Sequence, residues 1–471
     1  MIRNLLIPCS GPGTRSSGYT KFHKALIRVG NKAVIDHIID SYTNIDTIYV
    51  MLGYNSEYIR DYLEHSGYSN IEYIDIANWS EGQIPSFQQL PKHVFDSPIY
   101  YNACDNWSLN VPEVNTNTFF TCTPRNASHY DTDGDLIYGG ISFIKDADDY
   151  YRLLQSSTHN RNDLLVMKEL DNLQHCPLNT WYDVGNRDSY QETVNDWEDP
   201  ISVLDKVNQE VYFVNNRVVK LWDTKPDIQT DNIAFPHPGP VIHSKNGLSY
   251  PKVDGVVNVM GTVFEDLFDS LENLWSHCLA NNVSANNKSL WQDKTWQRFT
   301  QMCEIDEKYS DNISVNGLEI DSTSIFERMD WNILNNGVTG PCHGDLTMDN
   351  IIMSDDQIHY IDHRAGKVTD IFYDISKFYL SLFLNCQNLS NLEFNDNTIT
   401  LNLTVGSKKR IEYFRKSYIY QTYKDKLEVS IAVLCLCMAP LNVDKVLNNK
   451  LWLFGILSLH NALQSNAEIK T

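Results

Sequence analysis

The sequence predicts an α/β chain in two parts, a doubly wound α/β unit over residues 1–198 and a second, α+β unit over residues 199–471. Three observations predict it. Short apolar runs alternate with amphipathic stretches from Leu5 to Ile74. A break at Asp199-Pro200 ends that series. Beyond it come a hairpin-like alternating run and then long stretches with apolar residues at helical spacing. With 471 residues, at roughly 150 per domain, the chain has room for more than one core.

Each element has its own reason. Leu5-Leu6-Ile7 reads as a buried strand that runs into Cys9-Ser10-Gly11-Pro12-Gly13-Thr14-Arg15. Residues 33–42 form an amphipathic helix with Val34, Ile35, Ile38 and Ile39 on one stripe. Strands at 47–51 and 71–74 flank a helix at 56–65. Residues 188–198 read as a closing helix. Residues 210–222 alternate like a hairpin, with Asn215-Asn216 at its turn and Lys220 on its second strand. Residues 261–278 carry Phe264, Leu267, Phe268, Leu271 and Leu274 at helical spacing. Further helices are expected at 370–385, 408–443 and 450–466.

Composition limits the partners. Lys and Arg number 38 against 60 Asp and Glu, a formal charge of −22. That balance argues against a nucleic-acid or anionic-membrane partner, since both need clustered cations. Nucleotides are not, because a few cations and backbone amides hold them locally. The ten cysteines show neither Cys-x-x-Cys pairs nor zinc spacing, so a reducing, cytoplasmic compartment is expected. The N-terminal apolar run is too short for a signal peptide, and the runs at 431–441 and 451–457 are too short to span a bilayer. A homo-oligomer is compatible with all of this.

The glycine-rich turn after the first strand lets backbone amides of Gly11 and Gly13 approach phosphates closely, with Arg15 and Lys24 adding charge. Gly-x-Gly-Thr-Arg (11–15), followed by Lys24-Ala25-Leu26-Ile27-x-Val29-Gly30-x-Lys32-x-Val34-Ile35-Asp36, resembles the signature of the sugar-phosphate and phosphocholine nucleotidyltransferases. The resemblance implies a Rossmann-like fold and a reaction that joins a phosphate ester to an NTP with release of pyrophosphate. It implies Mg²⁺ on Asp105, where Cys104 replaces the usual glycine, and on Asp183 of Trp181-Tyr182-Asp183-Val184-Gly185. It also implies that Gly11, Gly13, Thr14, Arg15 and Lys24 bind the nucleotide, with Arg15 and Lys24 acting on the departing pyrophosphate. Gly82 and Ser86 stand in the base-reading loop, whose departures from the common pattern leave the base open. Tyr138-Gly139-Gly140 falls where the family lies beside its acceptor. The absence of a Glu-Lys-Pro segment before Gly139 favours the cytidylyltransferase branch, hence CTP.

In the second part, His343-Gly344-Asp345 is followed by Asn350, then Asp362, then Asp374. A carboxylate for the attacking hydroxyl and an amide plus a carboxylate for Mg²⁺ are the needs of phosphoryl transfer. The pattern resembles the catalytic and metal loops of the aminoglycoside phosphotransferase and choline kinase family, which implies a bilobal protein-kinase-like α+β fold. On that resemblance Asp345 is the base, Asn350 and Asp362 hold metal, His343 and Asp374 are structural, and Lys220 is the candidate phosphate lysine. The usual small-lobe Glu is missing, since no glutamate occurs between Lys220 and Phe264. Trp291, Trp296, Trp331 and Tyr373 are candidates for an aromatic acceptor pocket.

The two resemblances together imply a bifunctional enzyme. ATP would phosphorylate a small alcohol or amino alcohol of the choline or ethanolamine kind. The phosphate ester would then receive a nucleotidyl group, with CTP as donor, to make an activated head group for surface polysaccharide or lipid. A sugar kinase–pyrophosphorylase and a nucleotidyltransferase with a non-catalytic kinase-like module are the alternatives; a scaffold is the remaining one.

Overall fold

The computed structural model describes residues 3–16, 18–124, 130–158, 163–197, 208–228, 230–281, 283–354, 357–364, 368–384, 389–395, 397–441 and 444–469. The chain forms two compact units, Met1–Lys225 with Gly239–Lys252, and Pro226–Pro238 with Val253–Thr471. The boundary expected at 198 and 199, with its Asp199-Pro200 break, lies outside the described residues.

The first unit is built on β1 (Asn4–Cys9), α1 (Val34–Asp40), β2 (Thr47–Leu52), α2 (Ser56–Ser66), β3 (Ile71–Asp75), α3 (Gln83–Phe87) and β4 (Ile99–Asn102). It continues through β5 (Asn106–Trp107), β6 (Thr118–Cys122), β7 (Leu136–Ile144), α4 (Ala147–Ser156), α5 (Asp163–Met167), β8 (Gln174–Pro177), β9 (Tyr182–Asp183) and α6 (Arg187–Asp196). The main sheet runs β8-β6-β7-β4-β1-β2-β3. The β3-β2-β1-β4 part is parallel, and β7 lies antiparallel between β4 and β6. Apolar cores cover both faces. That explains why β1 and β2 read as continuous apolar runs rather than alternating ones. From β1 the chain builds β2 and β3 on one side, then crosses to place β4 on the other. The strand order therefore reverses between β1 and β4, and crevices for ligands open at such a reversal, outside the carboxyl ends of the strands.

β10 (Gln209–Val214), β11 (Arg217–Trp222), β12 (Ile242–His243) and β13 (Gly247–Pro251) form a four-stranded antiparallel sheet in the order β10-β11-β13-β12. Asn215 and Asn216 both take positive φ, 46° and 61°, as the expected two-residue hairpin turn requires. The sheet expected as the small lobe of the second domain packs with the first unit instead. Tyr212, Val214, Val219 and Leu221 join the first unit's core. Tyr212 donates its hydroxyl hydrogen bond to Leu26 O at 2.8 Å, and the Asn246 amide donates to Asp61 at 2.9 Å. Lys220, on β11, is buried with its ammonium 5.2 Å from the Tyr250 ring centre.

The second unit is mainly helical: α7 (Thr262–Asn281), α8 (Lys294–Ile305), α9 (Ile371–Phe383), α10 (Val405–Lys416), α11 (Tyr418–Met438) and α12 (Lys445–Ile469). α9 is buried along almost its whole length and packs on α10 and α11. Trp291, Trp331 and Tyr373 lie in this core and Trp296 packs against it, so these four serve as core aromatics rather than as the acceptor pocket considered from the sequence. No described helix is long and apolar enough to cross a membrane.

Candidate active site

A cleft of about 610 Å³ opens at the reversal point of the first unit. Pro8, Ser10 and Gly11 reach it from the end of β1, and Ala103, Cys104 and Asp105 from the end of β4. Arg15, Lys24, Gly82, Ser86 and Asp183 also line it. Gly13 and Thr14 are outside its lining. Gly13 takes φ 57° and closes the turn that Ser16 caps through its hydroxyl on Gly13 O.

The loop between β1 and α1 is held by His23, which is buried. Its Nδ1 accepts the Ala25 amide at 3.1 Å, so its proton sits on Nε2, which donates to Gly11 O at 3.1 Å. Burial, followed by the charge of Lys24, lowers the imidazole pKa to about 4, so the clamp is neutral. No motif marks His23 in advance, because its role depends on a carbonyl twelve residues earlier in the chain.

Lys24 crosses the floor of the cleft to Asp105, with Nζ 2.9 Å from Oδ2. Burial disfavours both charges, but each outweighs it for the other. Asp105 is held below the ordinary carboxyl range and Lys24 above the ordinary ammonium range. Asp183 arrives on β9, which pairs with β5 just after Asp105. Tyr130 donates to Asp183 Oδ2 at 2.9 Å and the Gly185 amide to Oδ1 at 3.1 Å. Burial, then the neighbouring charge of Asp105, pushes the Asp183 carboxyl up to about 6. A β-carbon on Gly185 would stand 3.0 Å from Asp105 Oδ2 and 3.1 Å from Asp183 Oδ1. The two carboxylates thus face one small cradle that only glycine leaves open.

That cradle fits Mg²⁺, which takes one or two carboxylates and completes its shell with phosphate and water. Among the described residues no cluster of three or more His, Cys, Asp or Glu could hold a metal by itself. On the far wall Gly82, at φ 128°, starts α3, and Ser86 donates back to Gly82 O at 2.7 Å. Gln83 bridges Tyr101 and Asp163, both at 3.0 Å, and Tyr138 donates to the other Asp163 oxygen at 2.8 Å. Gln83 lies within the expected base-reading loop, whereas Asp163 is a wall residue that no motif marked in advance.

The second unit carries its own constellation. Asp374, in the first turn of α9, accepts the amides of His343 at 2.5 Å and Gly344 at 2.8 Å. His343 Nδ1 accepts the Asp345 amide at 3.2 Å, and Nε2 donates to Ile361 O at 2.9 Å. Burial, then the neighbouring His363, lowers the His343 pKa to about 3. Asn350 donates to Asp345 O at 2.8 Å. β14 (Ile351–Ser354) and β15 (Gln357–Tyr360) form a hairpin, extended one step by the Ile361 amide on Asn350 O at 3.0 Å. This brings Asn350 beside the backbone of Asp362, which takes φ 61°. Lys377 lies 2.9 Å from Asp345 Oδ1, and Arg364 Nε 3.9 Å from Oδ2. Burial opposes the Asp345 charge, but Lys377 and then Arg364 outweigh it and hold the carboxyl far below its usual range.

No protein-family model matches the chain, and no curated protein matches it. Solved structures do. The CTP:phosphocholine cytidylyltransferase of Streptococcus pneumoniae is 18% identical, with a TM-score of 0.35, over 42% of this chain and 100% of its own. The inositol-1-phosphate CTP transferase of T. maritima is 12% identical, with a TM-score of 0.35, over 43% of this chain and 98% of its own. The UDP-glucose pyrophosphorylase of Acinetobacter baumanii is 12% identical, with a TM-score of 0.33, over 41% of this chain and 92% of its own.

Proposed function

We propose that the first unit is a nucleotidyltransferase that couples a phosphate ester to an NTP, with CTP as donor. One observation carries this reading: the Asp105 and Asp183 carboxylates face a single glycine-floored cradle beside Lys24, at the strand-order reversal. Mg²⁺ held by Asp105 and Asp183 would offset the repulsion between the two anionic substrates. The Gly11 amide and Arg15 bind the triphosphate tail, and Lys24 keeps Asp105 ionised while lending charge to the departing pyrophosphate. An oxygen of the substrate phosphate bonds to the α-phosphorus as the bond to pyrophosphate breaks. No protein nucleophile is needed, because that phosphate is already ionised. Gly82 and Ser86 face the base.

The second unit, on this proposal, makes the phosphate ester from ATP and a small alcohol or amino alcohol of the choline or ethanolamine kind. Asp345 orients the acceptor hydroxyl, Asn350 and Asp362 would hold Mg²⁺, and His343 and Asp374 fix the loop. A kinase that makes a phosphate ester and a transferase that uses one are complementary in one chain, suited to an activated head group in the cytoplasm.

The test is incubation with Mg²⁺, ATP, CTP and a panel of alcohols and their phosphates, read by mass spectrometry. A CDP-linked product from an unphosphorylated alcohol is the expected result. Neither pyrophosphate nor ADP across the panel would sink both halves.

One observation favours a second reading, in which the kinase-like unit binds but does not catalyse. Lys220 is buried in a sheet that shares the first unit's core, and no Glu follows it before Phe264. ADP production that disappears in Asp345→Asn would remove this reading.

A further inference from the structure

The two oxygens of Asp345 are not equivalent. Oδ1 is sealed from solvent and accepts no aligned hydrogen bond among the described residues; the Lys377 ammonium faces it as an ion-pair partner 2.9 Å away. The Lys377 side chain is only 7% exposed, while that of Asp345 keeps 26%. What Asp345 presents outward is therefore Oδ2, with the half-exposed Arg364 at 3.9 Å.

Lys377 also stands in a particular place. It lies three residues after Asp374 on α9, and residues at that spacing share a helix face. Asp374 grips the backbone of the loop at His343 and Gly344, and Lys377 grips the side chain of the next residue. One helical turn thus fixes both where the loop runs and how its carboxylate is turned. α9 is itself buried along almost its whole length, so this grip rests on a rigid element.

We infer that Lys377 is a positioning residue for phosphoryl transfer: by occupying Oδ1 it sets the plane of the Asp345 carboxylate and leaves Oδ2 as the oxygen offered to the acceptor hydroxyl. The inference rests on reading the second unit as a phosphotransferase. In the step concerned, the acceptor O–H bond breaks and its oxygen bonds to the γ-phosphorus. The bond between the γ-phosphorus and the bridging oxygen breaks, ADP leaves, and the acceptor proton passes to Asp345 Oδ2 and on to water. Lys377 makes and breaks no bond. A carboxylate paired with an ammonium is a weak base, which suits a transition state that asks for orientation more than for early proton removal.

The role differs from simple charge compensation, because it needs geometry as well as charge. An arginine would keep the charge but replace a compact ammonium with a longer planar fork.

The experiment uses the full chain with Mg²⁺ and ATP, and follows ADP with choline as acceptor and, in parallel, with water. Lys377→Met is expected to lower kcat about 100-fold with the KM for ATP little changed, the usual scale for a misplaced catalytic group. Lys377→Arg, which leaves no uncompensated charge, is expected to fold and to lower kcat about tenfold. The double variant Asp345→Asn/Lys377→Met is expected to be no slower than Asp345→Asn, because Lys377 acts through Asp345. CTP-dependent pyrophosphate release by the same molecules and their melting curves report folding. Wild-type kcat in Lys377→Arg overturns the inference, even where Lys377→Met fails to fold. So does a double variant slower than Asp345→Asn by the full Lys377→Met factor. A wild-type chain that forms no ADP with either acceptor fails the phosphotransferase reading itself, and the inference falls with it.

Discussion

The two units clamp their loops with the same device. His23 and His343 are both buried and neutral, and each accepts through Nδ1 the amide two residues ahead. Each then donates through Nε2 to a carbonyl just past the end of a strand of the site, Gly11 for one and Ile361 for the other. What differs is the charge around the clamp. In the first unit two carboxylates face one cradle, and only Asp105 has a lysine, so Asp183 is driven up to about 6. In the second unit Asp345 takes two cations and is driven down, while the neighbouring Asp374, held by backbone amides, is pushed up to about 7 by burial. A carboxylate pair held in repulsion gains most from an added divalent cation. A carboxylate already neutralised is set up to orient a neutral hydroxyl.

The largest effects should come from removing those carboxylates one unit at a time. Asp105→Asn is expected to cut pyrophosphate release about 10³-fold and leave ADP formation within twofold, the scale of losing a major electrostatic contributor. Asp345→Asn should do the reverse, lowering ADP formation about 10²–10⁴-fold. Parallel assays of both products on each variant check this. A variant that lost both activities with an unchanged melting curve would break the division of labour between the units.

Gly185→Ala comes next. A methyl group in the cradle would crowd both Asp105 and Asp183 at about 3 Å. The expected result is a 10–100-fold higher Mg²⁺ requirement for pyrophosphate release, the usual scale for disturbing the support of a metal site, with ADP formation unchanged. Titration of each activity with Mg²⁺ tests it, and equal shifts in the two would refute the assignment of the cradle to one reaction.

How much of this was legible in the sequence follows from the range of each interaction. Gly11, Arg15, Lys24, Asp105 and Asp183 could be picked out because motif spacing records chain neighbours. The Lys24–Asp105 ion pair could not, because it spans 81 residues and exists only through the β1–β4 adjacency. Gly185 was visible as a letter in a motif, but its reason is the two carboxylates that would strike its β-carbon. The hairpin at 209–222 was legible from its alternation and its Asn-Asn turn. Its allegiance to the first unit was not, since alternation says which residues point inward and not which core receives them. Lys377 was one letter of an Asp-x-x-Lys run, and only the fold of the loop onto α9 brings it to Asp345.

The shared clamps predict a shared weakness in acid. A histidine whose folded pKa lies below its unfolded value of about 6.5 binds fewer protons in the folded state. Stability is then complete above pH 6.5 and is lost as pH falls, down to about 4 for His23 and about 3 for His343. Between pH 7 and pH 5 each histidine contributes a loss of about 2 kcal/mol, opposed by buried carboxyls with raised pKa values, Asp183 in the first unit and Asp374 in the second, so the loss is read as the difference between wild type and the histidine variants. Urea midpoints at the two pH values, followed by the two activities, give the measurement. His23→Gln should flatten the loss in the first unit only, and His343→Gln in the second only. Equal acid sensitivity in wild type and both variants would break the parallel.

The smallest effect tests which unit owns the four-stranded sheet. Asn216 sits at φ 61°, a region that asparagine tolerates and alanine does not. Asn216→Ala is expected to cost about 1 kcal/mol, and Asn216→Gly less than about 0.5 kcal/mol, because glycine enters this region freely. The β10–β11 strands bury Tyr212 and Leu221 in the first unit's core, so the loss should appear in the urea midpoint of pyrophosphate release. It should be absent from that of ADP formation. A loss carried by ADP formation alone would return the sheet to the second unit and restore the two-lobed arrangement expected from the sequence.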